Sequence, residues 1–257
     1  MPLTFDDRTL FQHLTTQRIG QQLVFFESTD STNSRAIAAV GSGSASDGAT
    51  FVAAHQTAGR GTDDHPWESA NAQGLWMSVV YFEPLRSRPL SFLPGIAIAN
   101  VLRKEYGVMA HLKWPNDVLV GTKKVAGVLI ESAESPDRQG AWVVGIGVNL
   151  NQEEFASPLD SVAVSLKQLV GQPVPVPQFF GHLMSELERQ NDGCVLAGRW
   201  TALSRMPGKT IKLKRGKETL AVRADGVSPE GYLQVTHADG MRETIVGVTG
   251  LDIDRHY

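Results

Sequence analysis

At Pro207-Gly208 the texture of this 257-residue chain changes, and that change constrains the fold more than any other feature. Beyond it run short strand-like stretches, Thr210 to Arg215, Glu218 to Asp225, Tyr232 to His237 and Thr244 to Gly247. Gly216, Gly226, Pro229-Glu230-Gly231 and Asp239-Gly240 separate them. Turn residues about eight to twelve apart predict a small all-β barrel. Before the change, strand and helix patterns interleave, which predicts a mixed α+β unit. The division is residues 1–206 as one domain and 207–257 as a second. With 42% hydrophobic residues, a chain this long can bury about 70% of its unfolded surface without a covalent staple.

The composition excludes disordered, collagen-like and coiled-coil chains. No apolar run approaches the roughly 18 residues of a membrane span. The start, MPLTFDDRTLFQHL, lacks the basic-then-apolar order of a secretory signal. Cys194 is the only cysteine, so no internal disulfide forms and a reducing cytoplasm fits. Without a motif around it, Cys194 reads as a buried, inert thiol. A net charge of −3 offers no global nucleic-acid footprint. His55, His65 and His111 match no metal-ligand spacing.

Within the first unit, apolar spacing predicts helices over 7–19, 34–40, 90–106, 158–170 and 177–203. Strands are predicted at Leu23 to Phe26, Phe51 to Ala54 and Leu75 to Phe82. His111 to Trp114 and Val118 to Val120 flank a turn, and Val125 to Glu131 pairs with Trp142 to Leu150 as a hairpin. Residues 55–73 have neither period, and a loop that long inside a compact domain is functional or disordered.

Four segments carry chemistry. Asp30-Ser31-Thr32-Asn33 is either a helix cap or a set of hydroxyl and amide groups that binds a polar ligand at a helix N-terminus. In Gln56-Thr57-Ala58-Gly59-Arg60-Gly61, glycines let the backbone approach an anion that the guanidinium can grip; the plain alternative is a solvated turn. Trp67, in the same polar loop, either covers a flat ligand or anchors the loop to the core. Lys113-Trp114-Pro115-Asn116-Asp117 packs a cation, an aromatic, an amide and a carboxylate into one turn. Its carboxylate can orient a metal or a lysine. Lys123-Lys124-Val125-Ala126-Gly127 brings a lysine into an apolar strand. Gly145 and Gly147 lie on one face of the next strand, either leaving room for a flat ligand or allowing tight packing.

In their order and spacing these segments, from Asp30 to about Leu150, resemble biotin protein ligase, also called biotin–[acetyl-CoA-carboxylase] ligase. The resemblance implies an α+β catalytic domain with a mixed sheet, related to class II aminoacyl-tRNA synthetases, followed by an SH3-like β-barrel. It implies that biotin and MgATP form biotinyl-5′-AMP, from which biotin passes to a lysine of a biotin carboxyl carrier protein domain. By position, Ser31, Thr32, Asn33, Gln56 and the backbones of Gly127 and Gly147 would hold biotin. The loop residues Gly59, Gly61 and Thr62 would also bind biotin, and Arg60 and Lys124 would hold its carboxylate and the α-phosphate. Lys113, Asn116 and Asn149 would contact the adenylate, and Trp67 would cover it. Lys124, Arg60 and Asp117 are the candidate catalytic groups, with Asp117 also the candidate Mg²⁺ ligand.

The loop departs from the family pattern after Gly61. It reads Thr62-Asp63-Asp64-His65 where further Arg and Gly residues are common. A lipoate or octanoate ligase on a related fold is the alternative enzyme, and a non-catalytic biotin-binding module is the alternative class. Some family members bind DNA through an N-terminal winged helix; about 20 residues precede the first strand, too few for three helices. The expectation is a ligase that binds neither DNA nor membrane, with a homodimer left open. Lys209, Lys212, Lys214, Arg215 and Lys217 form either a solvated strand face or a surface that steers an acidic carrier.

Overall fold

The fold is built around β3 (Gly74–Tyr81), which is buried at every position. The computed structural model describes residues 5–62, 65–69, 72–82, 90, 92–138, 140–189, 196–215, 218–246 and 251–253. β1 (Leu23–Thr29) and β2 (Thr50–Gln56) pair in parallel, joined over one face by α2 (Thr32–Gly41). β2 then pairs antiparallel with β3. Beyond β3 lie β7 (Ala141–Asn149), β6 (Lys123–Ala133), β5 (Asp117–Val120) and β4 (His111–Lys113), all antiparallel. The result is the expected mixed sheet, in the order β1-β2-β3-β7-β6-β5-β4.

Alternation along β3 assigns its two faces. Leu75, Met77, Val79 and Tyr81 join a large core with α3 (Phe92–Tyr106), α5 (Val176–Arg189) and α6 (Leu196–Leu203). Val80 joins a smaller core with Ala36 and Val40 of α2 and Val143 of β7. Ser78 has the same parity as Val80 and faces α2. That face carries the site.

The C-terminal strands are β8 (Thr210–Arg215), β9 (Glu218–Val227), β10 (Leu233–Thr236), β11 (Arg242–Ile245) and β12 (Leu251–Ile253). They form an antiparallel sheet ordered β11-β10-β9-β8-β12, compatible with an SH3-like unit. The last of them was not legible as a strand in the sequence. Trp114 Nε1 donates to the Gly231 carbonyl at 3.0 Å, tying the central turn to this sheet.

Several predicted helices are shorter or shifted. α1 spans only Asp7–Phe11; beyond it, the N–H groups of Gln17, Arg18 and Ile19 donate to the Glu188 carboxylate instead of to a helical ladder. The 158–170 stretch divides into a 3₁₀ turn, Leu159–Ser161, and α4 (Leu166–Val170). Lys124 N–H bonds the Val162 carbonyl, and Val164 N–H the Lys124 carbonyl, drawing the chain between them into an extended path. The 177–203 stretch becomes α5 and α6, and the segment between them, with Cys194, lies outside the described residues. Among the described residues no helix is long and apolar enough to cross a membrane.

His111 on β4 is 3% exposed. Burial, with Arg205 and Arg103 nearby, pushes its imidazole from 6.5 down to about 4. The unfolded chain therefore binds the extra proton first, and stability falls as pH drops from 6.5 toward 4. At most about 3 kcal/mol is lost this way, at about 1.4 kcal/mol per unit. His111→Gln is expected to flatten acid denaturation over that window, followed by circular dichroism. An unchanged slope would remove His111 from the account.

Candidate active site

The α2 face of the sheet has a trough because its residues are small. Gly127 on β6 pairs directly with Gly147 on β7, and Gly145 lies opposite Leu129. Side chains there would collide with their surroundings. A Cβ at Gly145 would come within 2.4 Å of Asn33 Oδ1, and one at Gly147 within 2.5 Å of the Trp67 indole. A Cβ at Gly127 would stand 2.8 Å from Lys124 Cε.

One end of the trough is the N-terminus of α2. The helix starts at Thr32, two residues earlier than predicted, and its N-cap Ser31 makes no side-chain cap bond. Gln56 does this work from β2, with Oε1 accepting from Thr32 N–H at 2.8 Å and from Thr32 Oγ1 at 3.2 Å. Ser31, Thr32 and Asn33 are buried. Ser78 Oγ stands 2.7 Å from Thr32 Oγ1 and 2.6 Å from Asn33 Oδ1. Asn33 Nδ2 donates to Glu131 Oε2 at 2.7 Å. Arg60 Nη2 donates to that same oxygen, also at 2.7 Å. At the other end of the chain of bonds, Gln56 Nε2 donates to Ser69 Oγ at 2.9 Å. A continuous polar path thus begins and ends on one loop, passing beneath the trough.

That loop folds back on itself. Arg60 bridges Pro66, Trp67 N–H bonds the Gly59 carbonyl at 2.9 Å, and Gly61 N–H bonds the His65 carbonyl at 2.7 Å. Gly59 is required here because a Cβ would lie 2.5 Å from the Trp67 carbonyl oxygen. The indole of Trp67 lies on the bare backbone of Gly127 and Gly147, edge-on to Trp76 at 6.2 Å between ring centroids. Lys124 Nζ is 5.1 Å from its ring. The Trp67 Nε1 is buried and has no hydrogen-bond partner among the described residues. The sequence offered room for a flat ligand on this face or tight packing; in the structure the protein's own Trp67 lies there. A flat ligand lying on the backbone of Gly127 and Gly147 therefore requires Trp67 to move.

Lys124 Nζ pairs with Asp117 Oδ1 at 2.6 Å across the start of β6 and β5. Asn116 Nδ2 donates to the Val128 carbonyl at 2.6 Å. Of the residues picked from sequence, Ser31, Thr32, Asn33, Gln56, Gly127 and Gly147 line one pocket. So do Arg60, Gly61, Thr62, Trp67, Asn116 and Lys124. Gly59, Lys113, Asp117 and Asn149 do not line it. Lys113 is opposite Asp117 in the β4–β5 register, and Asn149 Oδ1 accepts from Gln152 Nε2 at 3.2 Å. The pocket also takes in Met77, Val128, Leu129, Gly145 and Ile146. Sequence patterning had marked Gly145 as a close-approach glycine; the others read as core strand and gave no separate signal.

Chemically, two cations from separate segments, Arg60 and Lys124, stand over a floor of hydroxyl and amide groups. Such a site suits an anionic centre beside a polar, flat ligand. Among the described residues no three His, Cys, Asp or Glu side chains gather as a metal site.

The profile of the Biotin/lipoate A/B protein ligase family matches residues 25–149. A biotin–[acetyl-CoA-carboxylase] ligase of Paracoccus denitrificans is 35% identical over 218 residues, covering 80% of this chain and 90% of the relative. The enzyme of the same name from Mycobacterium tuberculosis is 30% identical over 243 residues, covering 89% and 88%. Among solved structures, the biotin protein ligase of Aquifex aeolicus in complex with biotin and ATP superposes with a TM-score of 0.77. It is 26% identical and covers 91% of this chain and 98% of its own.

Proposed function

The chain belongs to the biotin/lipoate A/B protein ligase family, and on that premise we propose that it activates biotin with ATP and transfers it to a carrier lysine. The observation that carries this reading is the convergence of Arg60 and Lys124, from a loop and from β6, over the polar terminus of α2. The biotin carboxylate attacks the α-phosphorus of ATP, forming an acyl–oxygen–phosphorus link as the bond to pyrophosphate breaks. Both reactants are anions, so the barrier falls mainly by positioning and by offsetting charge. Thr32, Asn33 and Gln56 would hold the ureido ring against Gly127 and Gly147 once Trp67 has swung out to cover the adenylate. In the second step a carrier lysine attacks the acyl carbon and AMP leaves. Asp117, paired with Lys124, would orient that amine.

Mg²⁺ arriving with ATP would meet Asp117, whose Oδ1 is already paired with Lys124. That donor set fits an ion held chiefly by phosphate oxygens, which it would help to neutralise. Lys113, beside Asp117 in the register, and Asn149, beside the Lys124 backbone, would act from behind the pocket wall. Lys209, Lys212 and Lys214 are exposed and form the surface we assign to steering the carrier; the Arg215 side chain and Lys217 lie outside the described residues.

Incubation with biotin, ATP and Mg²⁺, with lipoate in a parallel reaction, tests the assignment by mass spectrometry of the adenylate. Biotinyl-AMP is expected. Lipoyl-AMP without biotinyl-AMP would overturn it in favour of the lipoate alternative.

Thr62 lines the pocket, at the point where the resemblance implies a basic residue. The alternative is that His65, whose Nδ1 lies 3.0 Å from the Thr62 carbonyl oxygen, or Lys123 supplies that cation. Lys123 Nζ donates to the Asp160 carbonyl at 2.9 Å. Asp63 and Asp64 lie outside the described residues. One missing charge-assisted bond is worth about 1.5–3 kcal/mol. Thr62→Arg is therefore expected to slow release of preformed, labelled biotinyl-AMP by about tenfold or more. Indistinguishable off-rates would mean that Thr62 retains the intermediate as well as arginine does.

A further inference from the structure

Glu131 has no part in the chemistry above, and its side chain is not part of the pocket lining. Yet one of its oxygens receives both Arg60 Nη2 and Asn33 Nδ2, each at 2.7 Å. We propose that Glu131 is a positioning residue. It holds the Arg60 guanidinium at the pocket mouth, ready for the ligand carboxylate, and ties it to the residue that floors the ring site. The inference rests on assigning the pocket to biotin.

Three observations support it. Glu131 sits on β6, held in the sheet by its register with Val143 of β7, whereas Arg60 belongs to a loop and its side chain is 42% exposed. An exposed arginine loses much rotamer freedom when it grips a ligand. A fixed carboxylate meets that cost during folding rather than on binding. Next, the Glu131 bond uses one guanidinium nitrogen, and no second side-chain partner of Arg60 occurs among the described residues. Of five N–H donors, the rest remain for a ligand carboxylate. Finally, a carboxylate competing for the ligand's own place would line the pocket, and Glu131 stands behind Arg60 and Asn33.

The test compares biotin with its alcohol analogue, in which CH₂OH replaces the carboxyl group. Glu131→Gln keeps the side-chain shape and an acceptor for Asn33, but removes the charge that holds Arg60. By calorimetric titration, its affinity for biotin is expected to fall about tenfold, while that for the alcohol changes less than about twofold. Glu131→Asp, one methylene shorter, is expected to lose the same discrimination, and covers the case of a poorly folding amide variant. In an Arg60→Gln background, Glu131→Gln should weaken biotin binding no further. Equal losses for acid and alcohol would overturn the inference, leaving Glu131 a structural support of Asn33. Tighter binding of the acid would also overturn it, making Glu131 a competing anion. If wild type bound neither compound, the pocket assignment itself would fall.

Discussion

Lys124→Ala is expected to slow biotinyl-AMP formation ten- to more than a hundredfold while the protein still folds. Nζ lies 2.6 Å from Asp117 Oδ1, with the two side chains 24% and 12% exposed. It also reaches over the Trp67 ring toward the trough. A charge-assisted contact of this kind is worth about 1.5–3 kcal/mol, and each 1.4 kcal/mol is about tenfold in rate. The loss should fall on adenylation, because two anions must meet there. Stability also suffers, since Asp117 loses a half-buried counter-ion. Lys124→Ala with Asp117→Asn separates the two effects: melting temperature should recover and the adenylation rate should not. Single-turnover conversion of labelled ATP measures the rate. An unchanged rate in Lys124→Ala would take Lys124 out of the chemistry.

The parts of this site legible in the sequence were those written in short strings. Asp30 to Asn33, Gln56 to Gly61 and Lys113 to Asp117 concentrate unlike polar groups within a few residues, and period-2 runs placed them at strand ends. The β6–β7 hairpin and α3 were legible for the same reason, as their periodicity is local. What escaped depends on contacts between distant residues. Glu131 looks like any charge on a strand, and only the fold brings it against Asn33 and Arg60. The start of α2 was misplaced because its cap comes from Gln56, 24 residues away. α1 stops at Phe11, and the far end of its predicted span is held by Glu188, 169 or more residues away, which takes the Gln17, Arg18 and Ile19 amides. Gly145 and Gly147 marked a close approach correctly, but no sequence rule could name what approaches.

Gly145 and Gly147 share a strand and a face, yet substituting them should have opposite signatures. The neighbour that a Cβ meets decides the outcome. At Gly145 it is Asn33, 2.4 Å away, and Asn33 is fixed by Ser78 and Glu131 at 2.6 and 2.7 Å. Nothing there can yield without breaking buried hydrogen bonds, so Gly145→Ala is expected to cost about 1–3 kcal/mol of stability. At Gly147 the neighbour is the Trp67 indole, 2.5 Å away. That ring belongs to a loop, and its Nε1 has no hydrogen bond to lose among the described residues. It can swing aside, so Gly147→Ala should cost less than about 1 kcal/mol. The methyl group nevertheless stays in the trough where the proposed function puts the biotin ring against bare backbone. Overpacking by about 1–3 kcal/mol in the bound state then weakens biotin ten- to more than a hundredfold. Thermal melts and calorimetric titration of the two variants separate these outcomes. Should Gly147→Ala destabilise the protein as much as Gly145→Ala, Trp67 would be a fixed part of the core, and the pocket could not open by moving it.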